Sequence, residues 1–135
     1  MSAEERILVP LRPPFVDERG KIQNLIDAPF TSAVVISSVK GAVRGNHYHK
    51  TDYHYCWLHS GEMIYYQRPV GSTKAPVKQI IRAGELFYTP PMYEHTMVFT
   101  QDSVFFVFGR NNREMAHYES DIVRVPSIVP VEDPS

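Results

Sequence analysis

The chain has 135 residues, a formal net charge of −1 from 14 basic and 15 acidic side chains, and a pI near 6.6. That length suits one domain, residues 1–135, able to bury a core without staples. No basic run marks a nucleic-acid or anionic-membrane surface, the single Cys56 excludes an intramolecular disulfide, and the longest strongly apolar run, 104–108, is far too short to cross a membrane.

The chain starts Met1-Ser2-Ala3-Glu4-Glu5-Arg6, without the basic-then-apolar pattern of a secretory signal, so the expected location is a reducing cytoplasm. Residues 33–36 form a short β-branched run, and 54–58 alternate under aromatic enrichment. Strand-like pieces continue at 63–67 and 77–82, separated by the Gly- and Pro-bearing loop 71–76. Leu86-Phe87-Tyr88 runs into Pro90-Pro91, which cannot belong to a central strand. Residues 95–100 and 104–108 flank Gln101-Asp102-Ser103, a hairpin-turn composition. Turn signals recur about every 8–12 residues, as a sandwich or barrel requires. No stretch of about 12 residues shows a helical period. The core is expected over about 30–125, and the proline-rich tail 126–135 as an extended or loose end.

Four of the six histidines fall at two spacings that suit one metal ion. The first frame is Gly41-x5-His47-x-His49-x4-His54-x6-Gly61. The second is Gly84-x5-Pro90-x-Met92-x2-His95-x3-Phe99. On a strand, residues i and i+2 point the same way, so His47 and His49 leave one face together. His54 follows a short turn, and His95 arrives from a distant strand. A lone histidine is usually a core or surface residue. Four of them in two punctuated frames point to ligands converging at about 2.0–2.2 Å on a divalent ion. The alternative is a pocket in which one histidine is a base and no metal is present. Imidazole suits zinc, iron, nickel and copper alike. Four neutral ligands leave nearly the full double charge on the ion, which favours an anionic or enolisable substrate oxygen. Cys56 and Leu58 share the inward parity of His54 and read as core. His59 and His117 read as surface residues. Tyr48, Tyr53, Tyr55 and Trp57 have the opposite parity and read as inter-sheet or dimer packing.

The two frames resemble the two motifs of the cupin superfamily, in order and spacing. His54 stands where the usual glutamate would be, Met92 replaces a glycine, and Phe99 an asparagine. The resemblance implies an all-β fold, the cupin double-stranded β-helix or jelly roll, with ligands at its mouth. The run Val43-Arg44-Gly45-Asn46-His47-Tyr48-His49-Lys50 resembles the Arg-Gly-x-His-x-His pattern of nucleotide-sugar-modifying cupins. Asp17-Glu18-Arg19-Gly20 resembles their Asp-x-Arg-Gly motif. Residues 118–125 resemble the last cupin strand of capsular-polysaccharide sugar reductases. These likenesses imply a nucleotide-sugar epimerase or isomerase that works through an enolate beside a keto group, in polysaccharide or deoxysugar biosynthesis.

By that resemblance His47 is the base. A metal-bound His47 cannot also take a proton, so Tyr93 or Glu94, adjacent to His95, or a metal-bound hydroxide are the alternatives. Arg44 and Arg19 are the candidate contacts for the substrate's anionic groups. Two other readings stay open: an iron-dependent dioxygenase or other metal-dependent cupin enzyme on a small oxygenated metabolite, and a non-catalytic sugar- or metabolite-binding module. A homodimer is expected, because an open sandwich leaves edges and aromatic faces to cover. Tyr55, Trp57, Phe105 and the N-terminal strand are its candidate contacts.

Overall fold

A computed structural model describes residues 6–130 of the chain. In chain order it contains β1 (Leu8–Val9), β2 (Phe15–Asp17), β3 (Gly20–Ile22), β4 (Ser32–Ser38), β5 (Val43–His49), β6 (His54–Ser60) and β7 (Glu62–Pro69). There follow β8 (Val77–Arg82), β9 (Leu86–Thr89), β10 (Tyr93–Phe99), β11 (Ser103–Gly109), α1 (Met115–Asp121) and β12 (Ile122–Arg124). Two five-stranded antiparallel sheets form, in the orders β1-β9-β6-β11-β4 and β12-β5-β10-β7-β8. Among the described residues the hairpin β2–β3 pairs only with itself. This is an all-β jelly roll.

Period-two patterning explains how each sheet finds its inner face. Along β6, His54, Cys56 and Leu58 are buried while Tyr55 and Trp57 are half-buried on the other side. Along β11, Phe105 and Val107 point inward and Phe106 outward. The inner faces supply one core that includes Leu58, Met63, Phe87, Phe99 and Phe105. Full burial of such a side chain stabilises the fold by about 1.5–3 kcal/mol relative to exposure. Phe105 is therefore not a dimer contact: it is 1% exposed and stacks on Phe99 at 5.7 Å between ring centroids.

The core also reaches beyond its expected limits. Ile7 is 2% exposed and joins it, because β1 adds to the edge at β9. Downstream, the segment after Pro126 is not loose throughout: Ile128 packs on the outer side of the second sheet against Ile64, Tyr66 and Val98. Residues 131–135 of the expected tail lie outside the described residues. The helix α1 was not expected. It spans 7 residues with no buried side chain, too short to show an apolar stripe. Tertiary bonds hold it: the Asp121 carboxylate accepts from Thr51 N–H, Thr51 Oγ1–H and Asp52 N–H at 2.7–3.0 Å.

Candidate functional site

Three strands bring the four histidines together. β5 carries His47 and His49, β6 carries His54, and β10 carries His95. His95 lies opposite His47 in the ladder, and the register then shifts, with Thr96 opposite Gly45. Asn46 is the extra residue of this bulge. Gly45 (φ 88°) and Asn46 (φ 55°) both take left-handed backbone. A Cβ on Gly45 would sit 2.7 Å from the His95 carbonyl oxygen, so glycine is required there on two counts. The Arg44-Gly45-Asn46-His47 sequence is thus a bulge that aims His47 across the sheet at His95.

The imidazoles form a continuous cluster. Ring centroids are 4.9 Å apart for His47 and His49, 4.7 Å for His47 and His95, and 4.5 Å for His49 and His54. Two groups have potential ligand atoms within 4.8 Å of one another: His47, His49 and His95, and His49, Asp52 and His54. His49 belongs to both. It is 1% exposed, and neither ring nitrogen has a hydrogen-bond partner. Two orphaned polar atoms in a buried ring are costly, and a bound cation would satisfy one of them. His95 offers the complementary feature. Its Nδ1–H donates to the Tyr93 carbonyl at 3.2 Å, which leaves the Nε2 lone pair free for the cluster. The donor set fits a divalent ion.

The electrostatics agree. Burial, then the neighbouring His54, lowers the His47 pKa to about 4 and the His49 pKa to about 3. Burial and its two histidine neighbours push His95 well below its ordinary value. All three rings are neutral near pH 7, so a cation does not have to displace protons from them.

His54 differs in kind. Its Nε2 lies 2.8 Å from Asp52 Oδ2, and both residues are buried. Asp52 Oδ1 accepts from Asn111 N–H at 2.9 Å. Burial would raise the Asp52 pKa, but the His54 bond and charge and the Asn111 N–H outweigh it, and the net shift is downward. An ionised Asp52 takes the Nε2–H tautomer of His54 and leaves Nδ1 with its lone pair. Space for this ring comes from Gly109, where a Cβ would meet His54 Cδ2 at 3.2 Å.

The histidines open into a cavity of about 190 Å³, walled by His47, His54, His95, Arg44, Arg113 and Tyr118 around an apolar floor that includes Phe105 and Val107. Arg44 stands at the mouth, its Nε donating to Ser38 Oγ at 2.7 Å and its Nη2 to the Ser37 carbonyl at 3.0 Å. Other sequence candidates are placed elsewhere. Glu94 pairs with Arg68 at 3.0 Å and does not line the cavity. Tyr93 accepts from His95 through its carbonyl and is not part of the cavity wall. Arg19 is on the β2–β3 hairpin, ion-paired with Asp17 at 2.6 Å, beside a separate surface groove. Cys56 is fully buried, and burial raises its thiol pKa. His59 and His117 are exposed. Sequence reading missed Asp52, Arg113 and Tyr118. Only Asp52 carried a usable signal, being two residues before His54 on a tight turn.

No family model matches the chain, and no curated protein does either. Solved structures do. The 3,4-ketoisomerase QdtA from Thermoanaerobacterium thermosaccharolyticum superposes with a TM-score of 0.69 at 20% identity, covering 87% of this chain and 85% of QdtA. A dTDP-4-dehydrorhamnose 3,5-epimerase from Sulfolobus tokodaii gives 0.64 at 20% identity, over 77% of this chain and 69% of the other. The capsular polysaccharide assembling protein CapF from Staphylococcus aureus gives 0.64 at 22% identity, over 87% of this chain but 35% of CapF. QdtA has been seen with TDP and, as a variant, with TDP-4-keto-6-deoxyglucose. The arrangement of two facing antiparallel sheets thus recurs at low identity, and the fold of this chain is that of the RmlC-like cupins.

Proposed function

We propose that this chain is an epimerase or ketoisomerase of a nucleotide-linked keto sugar, and that it binds one divalent transition metal or zinc ion. The observation that carries the reading is the His54–Asp52 pair on the cavity wall. Moving a stereocentre or a carbonyl beside a keto group begins by removing the proton on the adjacent carbon, and that needs an oriented base. His47, His49 and His95 are the residues that would hold the ion. When bound, the ion would supply Lewis acidity toward a carbonyl or enolate oxygen. Assigning His47 to that trio removes it as the base. His54 is then the base, through Nδ1, with Asp52 fixing its tautomer and stabilising the imidazolium that forms. Arg44, at the mouth, binds an anionic group of the substrate. The ligands of QdtA support the choice of a nucleotide sugar.

The test is proton exchange. Protein purified without chelator is incubated in D2O with TDP-4-keto-6-deoxyglucose and followed by NMR. Deuterium should enter the carbon beside the keto group, and His54→Gln should abolish this. Absence of exchange in metal-replete protein overturns the proposal. The orphaned His49 favours one competing reading, a metal-dependent oxygenase of a small metabolite. Oxygen consumption with the iron-loaded protein would identify that case.

A further inference from the structure

The cavity holds a second cation, Arg113, that the proposed proton transfer leaves without a task. It sits on the connection from β11 to α1 and lines the cavity beside His47, His54 and His95. Its Nε is buried and has no hydrogen-bond partner. Its guanidinium carbon lies 4.4 Å from the Tyr118 ring centroid, a cation–π contact that occupies one face of the plane and leaves the N–H edge available. Arg44 is different, since Ser38 and Ser37 already accept from it. Among the described residues no carboxylate lines the cavity, so nothing within it neutralises Arg113. The positive charge is felt at His47 and His49, whose protonation it disfavours. A buried guanidinium N–H without a partner, as at the Nε of the half-buried Arg113, is costly unless an anion completes it. Its position is not an accident of a loose loop. Asn111, two residues earlier, donates from N–H to Asp52 and from its side-chain amide to Thr51 Oγ1, at 2.9 Å each.

We infer that Arg113 is an anion-binding residue, and that the cavity takes a ligand with a carboxylate or a phosphoryl group within its reach. This rests on the histidine cavity being the substrate site. Tyr118 holds the guanidinium plane in place, and the N–H fork meets two oxygens of the anion. The same geometry selects against sugars that carry no anionic group.

Calorimetric titration of the protein as purified tests this with three probes: glucuronate, glucose 1-phosphate and glucose. At least one charged sugar should bind and glucose should not. Binding of glucuronate alone assigns a carboxylate, and binding of glucose 1-phosphate alone assigns a phosphoryl group. Arg113→Gln should weaken the charged probe by about tenfold or more, and Arg113→Lys by less. Circular dichroism and thermal melting identify variants that remain folded, and Tyr118→Leu, which frees the guanidinium plane, gives a second route with a smaller expected loss. Unchanged affinity in folded Arg113→Gln, equal affinity for glucose, or no binding of either anion overturns the inference. Failure of the epimerase reading would look different: anion binding would persist with no deuterium exchange.

Discussion

At the scale of single residues, His54 and Asp52 carry the proton transfer of the proposed reaction. His54→Gln should lower turnover by about 10²- to 10⁴-fold, the usual contribution of a positioned base. Metal content, read by elemental analysis, should stay unchanged. Metal lost along with activity would instead make His54 a fourth ligand. Asp52→Asn should cost turnover too, because the amide no longer selects the Nε2–H tautomer. A separate prediction concerns Met92, a non-glycine residue at φ 60°. Left-handed backbone costs an L-residue about 1–2 kcal/mol, and glycine's extra entropy returns part of that. Met92→Gly should therefore raise stability by about 0.5–1 kcal/mol, read as a higher urea midpoint at constant slope. A lower midpoint would show that the Met92 side chain, 46% exposed, contributes packing after all. The four histidines were legible in the sequence because strand parity and turn spacing constrain them locally. Glu94 was misread for the reason that made His95 readable: successive strand residues face opposite sides, so a neighbour of an inward ligand points away. Arg113 and Tyr118 were out of reach, since they follow the last long strand and return to the cavity through contacts that no local period encodes.

At the scale of elements, the long strands could be anticipated and the short ones could not. The expected piece at 77–82 coincides with β8, and the runs at 54–58, 63–67 and 104–108 fall inside β6, β7 and β11. β1, β2, β3 and β12 have only two or three residues each, too few to display alternation, and exist through pairing. α1 is held by Asp121, whose partners lie 69 and 70 residues away. The β5 bulge is the element on which the site depends. Gly45→Ala places a Cβ 2.7 Å from a backbone oxygen at φ 88°. It should destabilise the chain by about 2 kcal/mol or more. It should also weaken metal retention, because His47 turns away from His95. A variant that binds metal and melts like the parent would show that the bulge does not aim His47.

At the scale of the whole molecule, two properties follow. The first is acid sensitivity. Folded His47 and His49 titrate near about 4 and 3, below the ordinary value of 6.5. Above 6.5 both the folded and unfolded chains are neutral at these positions. As pH falls from 6.5 toward 4, the unfolded chain binds protons that the folded chain refuses. Stability should drop by about 1.4 kcal/mol per pH unit for each histidine, with the His47 share levelling off below its folded value. Urea unfolding across that range checks this, and a flat profile would contradict it. The second is self-association. Phe15, Val16 and Ile22 on the β2–β3 hairpin are 59%, 67% and 69% exposed, and Tyr55 and Trp57 are half-buried on the outer sheet face. We expect a homodimer that covers these residues. Sedimentation giving only the 15.5 kDa species at micromolar concentration would exclude it.

The attachment of the segment from Arg110 to Asp121 has a further consequence. The sheets supply every imidazole of the site, while Arg113 and Tyr118 come from this one stretch. Its moorings lie at its two ends: Arg110 to Thr31, Thr51 and Tyr53 and Asn111 to Asp52 and Thr51 at one, and Asp121 to Lys50, Thr51 and Asp52 at the other. On the proposed roles, the base sits on the sheets while the Arg113 part of ligand choice sits on this stretch, so the two can be exchanged separately. A chimera that swaps the interior of the stretch while keeping Asn111 and Asp121 should inherit the donor's preference for ligands on an otherwise unchanged barrel.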